Sequence, residues 1–77
     1  MKRKIAMVVH QAQDGGYWAS FPELPGCFTQ GATLDELREH AAEAVAGHLE
    51  ALRESGKPLP DPVLAVEAVE AELEEVA

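Results

Sequence analysis

Residues 17–33 constrain this chain more than any other stretch: Tyr-Trp-Ala-Ser-Phe-Pro-Glu-Leu-Pro-Gly-Cys-Phe-Thr-Gln-Gly-Ala-Thr. Aromatic and β-compatible residues mark two short strands in it, at 17–21 and 27–30. Pro22 and Pro25 lie between them, remove two backbone donors and fix φ, so a regular ladder cannot run through this loop. Gly26, following Pro25, supplies the positive φ that the third position of a type II turn requires. The stretch closes on Gly31-Ala32-Thr33, where the chain turns into a helix.

That helix, over residues 33–55, is announced at both ends. Thr33-Leu34-Asp35-Glu36 reads as a capping box, in which Thr33 accepts from the Glu36 amide and Glu36 reaches back to the Thr33 amide. Leu34, Leu37, Ala41, Val45, Leu49 and Leu52 form one apolar stripe at three- and four-residue spacing. Glu36, Glu39, His40, Glu43, Glu50, Arg53 and Glu54 occupy the other side, and Ser55-Gly56 provides the stop.

Upstream, Ile5-Ala6-Met7-Val8-Val9 is apolar at every position, as expected of a strand covered on both faces. Gln13-Asp14-Gly15-Gly16 supplies hairpin chemistry. A two-residue Asp14-Gly15 loop pairs Val8 with Phe21. A three-residue Asp14-Gly15-Gly16 loop pairs Val9 with Phe21 and puts Gly16 in the left-handed bulge position. The second register is preferred because it gathers Ile5, Met7, Val9, Tyr17, Ala19 and Phe21 on one face. With Leu37, Ala41, Val45 and Leu49 these make the expected core. The opposite face then carries Ala6, Val8, His10, Trp18 and Ser20, to be covered by the C-terminal segment or by another chain.

Downstream, residues 57–62, Lys-Pro-Leu-Pro-Asp-Pro, form a stiff, linker-like extended segment. The tail beyond it is ambiguous from spacing alone. Val66, Val69, Leu73 and Val76 fall at helical intervals, and Asp61-Pro62 fits a helix start.

Gly16-Tyr17, then Phe21-Pro22-Glu23-Leu24-Pro25-Gly26-Cys27, Thr29-Gln30-Gly31 and Thr33-Leu34-Asp35-Glu36 together resemble the HicB-like antitoxin domain, over about residues 4–62. The resemblance implies an α+β fold: a three-stranded antiparallel meander, one long helix across a face, and a short fourth strand (β-β-β-α-β), here within residues 66–71. It implies one domain spanning residues 1–77. Full-length members usually carry a further DNA-binding domain, and this sequence ends without one, so no direct DNA binding is expected of it.

Chemistry is sparse. Cys27 and His10 invite a nucleophile–base reading, but no third group orients them, and Cys27 reads as a packed thiol. His40 and His48 are eight residues apart, too far for a metal pair on adjacent turns. HicB-like domains resemble a reduced ribonuclease H arrangement, whose metal-dependent cleavage needs clustered carboxylates. Here residues 5–11 carry no acid. The expectation is a non-enzyme, with no catalytic residue, cofactor or metal.

Six basic against fourteen acidic residues give a net charge of −8, which disfavours nucleic acid and anionic membranes and suits a basic protein partner. Met1-Lys2-Arg3-Lys4 is followed by too short an apolar run for a signal peptide, so the chain is expected in the cytoplasm. One cysteine excludes an internal disulfide, and 77 residues make a marginal core, which favours self-association. The resemblance implies that the partner is a small basic RNA-cleaving toxin of the HicA type. The expected contacts are Trp18, Pro22, Leu24 and Pro25, with Glu39 and Glu43 at the rim. The alternative is a solitary homo-oligomeric domain that serves another ligand or partner.

Overall fold

The computed structural model describes residues 4–74. In chain order they form β1 (Val8–Gln11), β2 (Tyr17–Ser20), β3 (Phe28–Gly31) and α1 (Leu34–Glu54). The strands make an antiparallel sheet in the order β1-β2-β3. The helix lies against β3 and β2 and not against β1. This is the expected α+β meander with one helix on a face. Among the described residues no helix is long and apolar enough to cross a membrane.

Both ends of α1 are closed by local chemistry. The Glu36 amide donates to Thr33 Oγ1 at 3.1 Å, as the capping box requires. The reciprocal arm lands one residue early: Glu36 Oε1 accepts from the Ala32 amide at 3.2 Å, not from Thr33. At the other end Gly56 takes φ +73°, its amide donates to Arg53 O, and the Lys57 amide donates to Leu52 O. These paired bonds make a Schellman stop.

The first hairpin corrects the expected register. Val8 pairs with Ser20, Val9 with Ala19, His10 with Trp18 and Gln11 with Tyr17, two residues away from the Val9–Phe21 pairing. The loop still has three residues, but they are Gln13, Asp14 and Gly15, closed by the Ala12 amide donating to Gly16 O at 2.8 Å. Gly15, not Gly16, takes the positive φ. The reason lies elsewhere in the chain, because Gly16 is crowded by the end of β3. A Cβ on it would sit 3.0 Å from the Gly31 carbonyl oxygen. A two-residue slip preserves parity, so Tyr17, Ala19 and Phe21 still face the helix.

β1 also starts later than expected, at Val8 rather than Ile5. Extending the observed register would set Ala6 opposite Pro22, which has no N–H to give. Instead, the Ala6 amide donates to Glu23 Oε1 at 2.9 Å, which pins residues 4–7 to the proline loop without a ladder.

The buried core is Ala19, Phe21, Leu24, Cys27, Leu37 and Ala41, with Ile5, Met7, Tyr17, Val45, Leu49 and Leu52 partly buried against it. Val9 is 43 % exposed and outside the core, a correction that follows from α1 never reaching β1. The fourth strand expected at residues 66–71 is absent: residues 57–74 carry no helix or strand. A strand persists only where a neighbour completes its hydrogen bonds. Val66 and Val69, at 70 % and 90 % exposure, lie clear of the sheet.

Candidate protein-binding site

Strand alternation divides the sheet into a helix side and a free side. On the free side His10 and Trp18, cross-strand partners, stack with ring centroids 3.9 Å apart and planes 13° from parallel. Phe28 joins from β3, its ring 6.2 Å from that of Trp18 and tilted by 52°. His10 Nε2 lies 3.3 Å from Ser20 Oγ, which fixes the imidazole against the sheet. These rings pack largely on one another, and Phe28 is 61 % exposed. A row of aromatic rings held rigid by cross-strand pairing, yet open to solvent, is suited to protein contact.

The proline loop borders this row. The Leu24 amide donates to Phe21 O at 2.9 Å and the Cys27 amide to Leu24 O at 3.0 Å, making two consecutive turns, with Gly26 at φ +85° in the second. That geometry turns Phe21, Leu24 and Cys27 inward and leaves Pro22 and Pro25 exposed. A shallow depression of about 230 Å³ runs from Pro22 and Pro25 to Ser20 and Phe28. Trp18, Pro22 and Pro25 therefore belong to one continuous surface.

The other expected contacts are placed differently. Leu24 lines the depression but is 1 % exposed, its side chain anchoring the loop from inside. Glu39 and Glu43 are exposed on α1, which covers the opposite side of the sheet from Trp18. Phe28 was missed, although alternation from an inward Cys27 sends it outward to the Trp18 side.

Cys27 and His10 are not brought together. Cys27 packs under the helix, its thiol directed at Ala44 O at 3.9 Å, and burial pushes the thiol pKa above its ordinary value. His40 lies at the β3 flank of α1, where Nδ1–H donates to Gln30 O at 2.7 Å. That bond raises the His40 pKa, opposed by desolvation and aided by Glu36, Glu43 and Glu39. A cleft of about 450 Å³ beside it is lined by Asp14, Tyr17, Glu36 and His40 among others. Among the described residues no three His, Cys, Asp or Glu converge as a metal site requires.

Known proteins resemble this chain in sequence and fold. A profile of the family described as the HicB-like antitoxin of bacterial toxin–antitoxin systems matches residues 5–75. A UPF0150 protein of Archaeoglobus fulgidus is 47 % identical over 47 residues, covering 61 % of this chain and 68 % of that protein. Antitoxin HicB 1 of Photorhabdus laumondii is 37 % identical over 62 residues, covering 78 % of this chain but only 40 % of the antitoxin. Among solved structures, a chain of a HicA3 and HicB3 toxin–antitoxin complex superposes with a TM-score of 0.66 at 37 % identity, covering 77 % of this chain and 69 % of that one. Profile, relatives and superposition agree on a single assignment: the chain belongs to the HicB-like antitoxin family.

Proposed function

We propose that this domain is a binding module, not an enzyme, that neutralises a small basic RNA-cleaving toxin of the HicA type by covering its RNA-facing surface. The observation that carries the reading is the 37 % identical relative solved within a toxin–antitoxin complex. The open surface of Trp18, Phe28, Pro22 and Pro25 supports it, since desolvated aromatic anchors supply most of the affinity in protein interfaces. The net charge of −8 supports it too, as the complement of an RNA-binding protein. Glu39 and Glu43, away from the aromatic row, act through the long-range field and steer encounter.

The test is a titration against a short basic protein encoded next to this chain, at two salt concentrations, with RNA cleavage followed in parallel. Trp18→Ala is expected to speed dissociation by about tenfold or more, as loss of a central anchor does. Glu39→Lys with Glu43→Lys is expected to slow association and leave dissociation nearly unchanged. No binding at micromolar concentration and low salt, with both proteins folded, removes this reading. What then stands is a solitary homo-oligomeric module with another partner, a reading favoured by the unoccupied edge of β1.

A further inference from the structure

The three strands contain no lysine, arginine, aspartate or glutamate. On a chain of net charge −8, the sheet side turned away from α1 is therefore a surface without a carboxylate. What it presents is rings. His10, on β1, covers one face of Trp18 at 3.9 Å. The other side of Trp18 lies toward β3, where Gln30 is its cross-strand partner and Phe28 its diagonal neighbour. The Trp18 and Phe28 rings are 6.2 Å apart and tilted by 52°, with Phe28 61 % exposed. A group set over that gap can approach both centroids within the roughly 6 Å at which ring quadrupoles hold a cation.

Two neighbours complete the shape. Gln30 is exposed beside Trp18, and its side-chain amide oxygen can accept from an N–H donor. Beyond Phe28 runs the depression of about 230 Å³ along Pro22 and Pro25, lined by no charged side chain. An uncharged trough that leads to two rings and an amide oxygen matches one side chain part by part. An aliphatic stem lies along the trough, and a planar cationic head with several donors lies over the rings.

We propose that this row receives an arginine side chain of a basic protein partner, its guanidinium over Phe28 and the β3-facing side of Trp18. The bearer of that arginine rests on the toxin reading, which this contact deepens by naming its chemistry. Charge selects the occupant. The acidic remainder of the molecule draws cations toward it, while on the sheet itself no carboxylate competes with the rings. Guanidinium is preferred to ammonium because it is weakly hydrated and stacks flat on aromatic faces. Aromatic rows also stack nucleobases, but bases arrive with phosphates. No lysine or arginine of the strands or of residues 21–27 would meet them.

The test begins without the partner. A six-arginine peptide is titrated into the intact chain and followed by NMR on the backbone amides and the Trp18 indole N–H. Shifts are expected at Trp18, Phe28 and Gln30, beside general ones along the acidic face of α1. A six-lysine peptide should move α1 alike and the row much less. Phe28→Leu, at an exposed position that the fold does not depend on, should remove the row shifts and keep those of α1. Phe28→Tyr, which keeps the ring, should restore them. Shifts confined to α1, a row response that survives Phe28→Leu, or a six-nucleotide oligo-dT that moves the row as arginine does would each overturn the proposal. Against the neighbouring basic protein, Phe28→Leu should weaken binding about three- to thirtyfold. Equal affinity of parent and Phe28→Leu there overturns the arginine contact and leaves the toxin reading in place. A parent that ignores that protein while the arginine peptide seats on the row removes the toxin reading and supports the contact.

Discussion

On its β3 flank α1 is sealed to the sheet, whereas on its β1 flank the same helix faces a groove. At the sealed flank Gly31 brings β3 so close that a Cβ there would lie 2.6 Å from the Leu37 amide nitrogen. His40 ties the helix to the Gln30 carbonyl, and the Cys27 thiol is directed at the Ala44 carbonyl. At the open flank Ile5, Met7, Val45 and Leu49 are only partly buried, and Val9 is exposed. Both flanks draw on one apolar stripe of one helix. What differs is whether a strand lies beneath, so apolar periodicity identifies what can be buried and strand number decides what is.

Substitutions can break this contrast or sharpen it. The largest loss is expected at Leu37, fully buried at the sealed flank. Leu37→Ala should cost about 2–5 kcal/mol in denaturant unfolding, the range for a buried leucine that leaves a cavity. Gly31→Ala comes next, because backbone must yield to admit the methyl group. A cost of about 1–3 kcal/mol is expected, with the β3–α1 junction losing protection in hydrogen exchange. Near-parental stability in either variant would show that the flank is not sealed.

Val45→Ala, on the open flank, should cost less than Leu37→Ala, about 1–2 kcal/mol in dilute solution, since its side chain is only partly buried. The smallest effect is expected at His40. Its folded pKa is raised above 6.5, so the stabilisation it brings is fully present below that value and is lost as pH rises through the folded pKa. The difference in thermal midpoint between parent and His40→Ala should therefore shrink on passing from acid to alkaline solution. A difference that grows with pH would reverse the assignment.

How much of this was legible beforehand follows the range of the determining contact. The helix ends, the Pro25-Gly26 turn and the inward face of β2 are set by residues within a few positions of one another, and each was read from local pattern, save that Glu36 reaches the Ala32 amide and not that of Thr33. The hairpin register was not. Gly15 and Gly16 are equivalent locally, and the choice between them falls to the Gly31 carbonyl fifteen residues further on. β1 began later than its apolar run because Pro22, in the proline loop beyond β2, has no N–H with which to pair Ala6. Val9 was assigned to the core on parity alone, which cannot reveal how far a helix extends across a sheet. Trp18, Pro22 and Pro25 were recognised as surface candidates, but their union through Phe28 required the pairing of β2 with β3. The burial of Leu24 was not legible, because a proline loop looks exposed from its composition while its two turns fold the leucine inward.

The stacking of His10 on Trp18 has a practical side. Trp18 is the only tryptophan in the chain, so all indole fluorescence comes from the centre of the aromatic row. Its emission reports one place, with no competing signal to subtract and no dye to attach. An imidazole in face-to-face contact is positioned to quench that emission. Covering the ring shifts its colour to the blue, and prising the stack apart brightens it. The unlabelled molecule thus carries its own optical gauge of whatever settles on that side of the sheet.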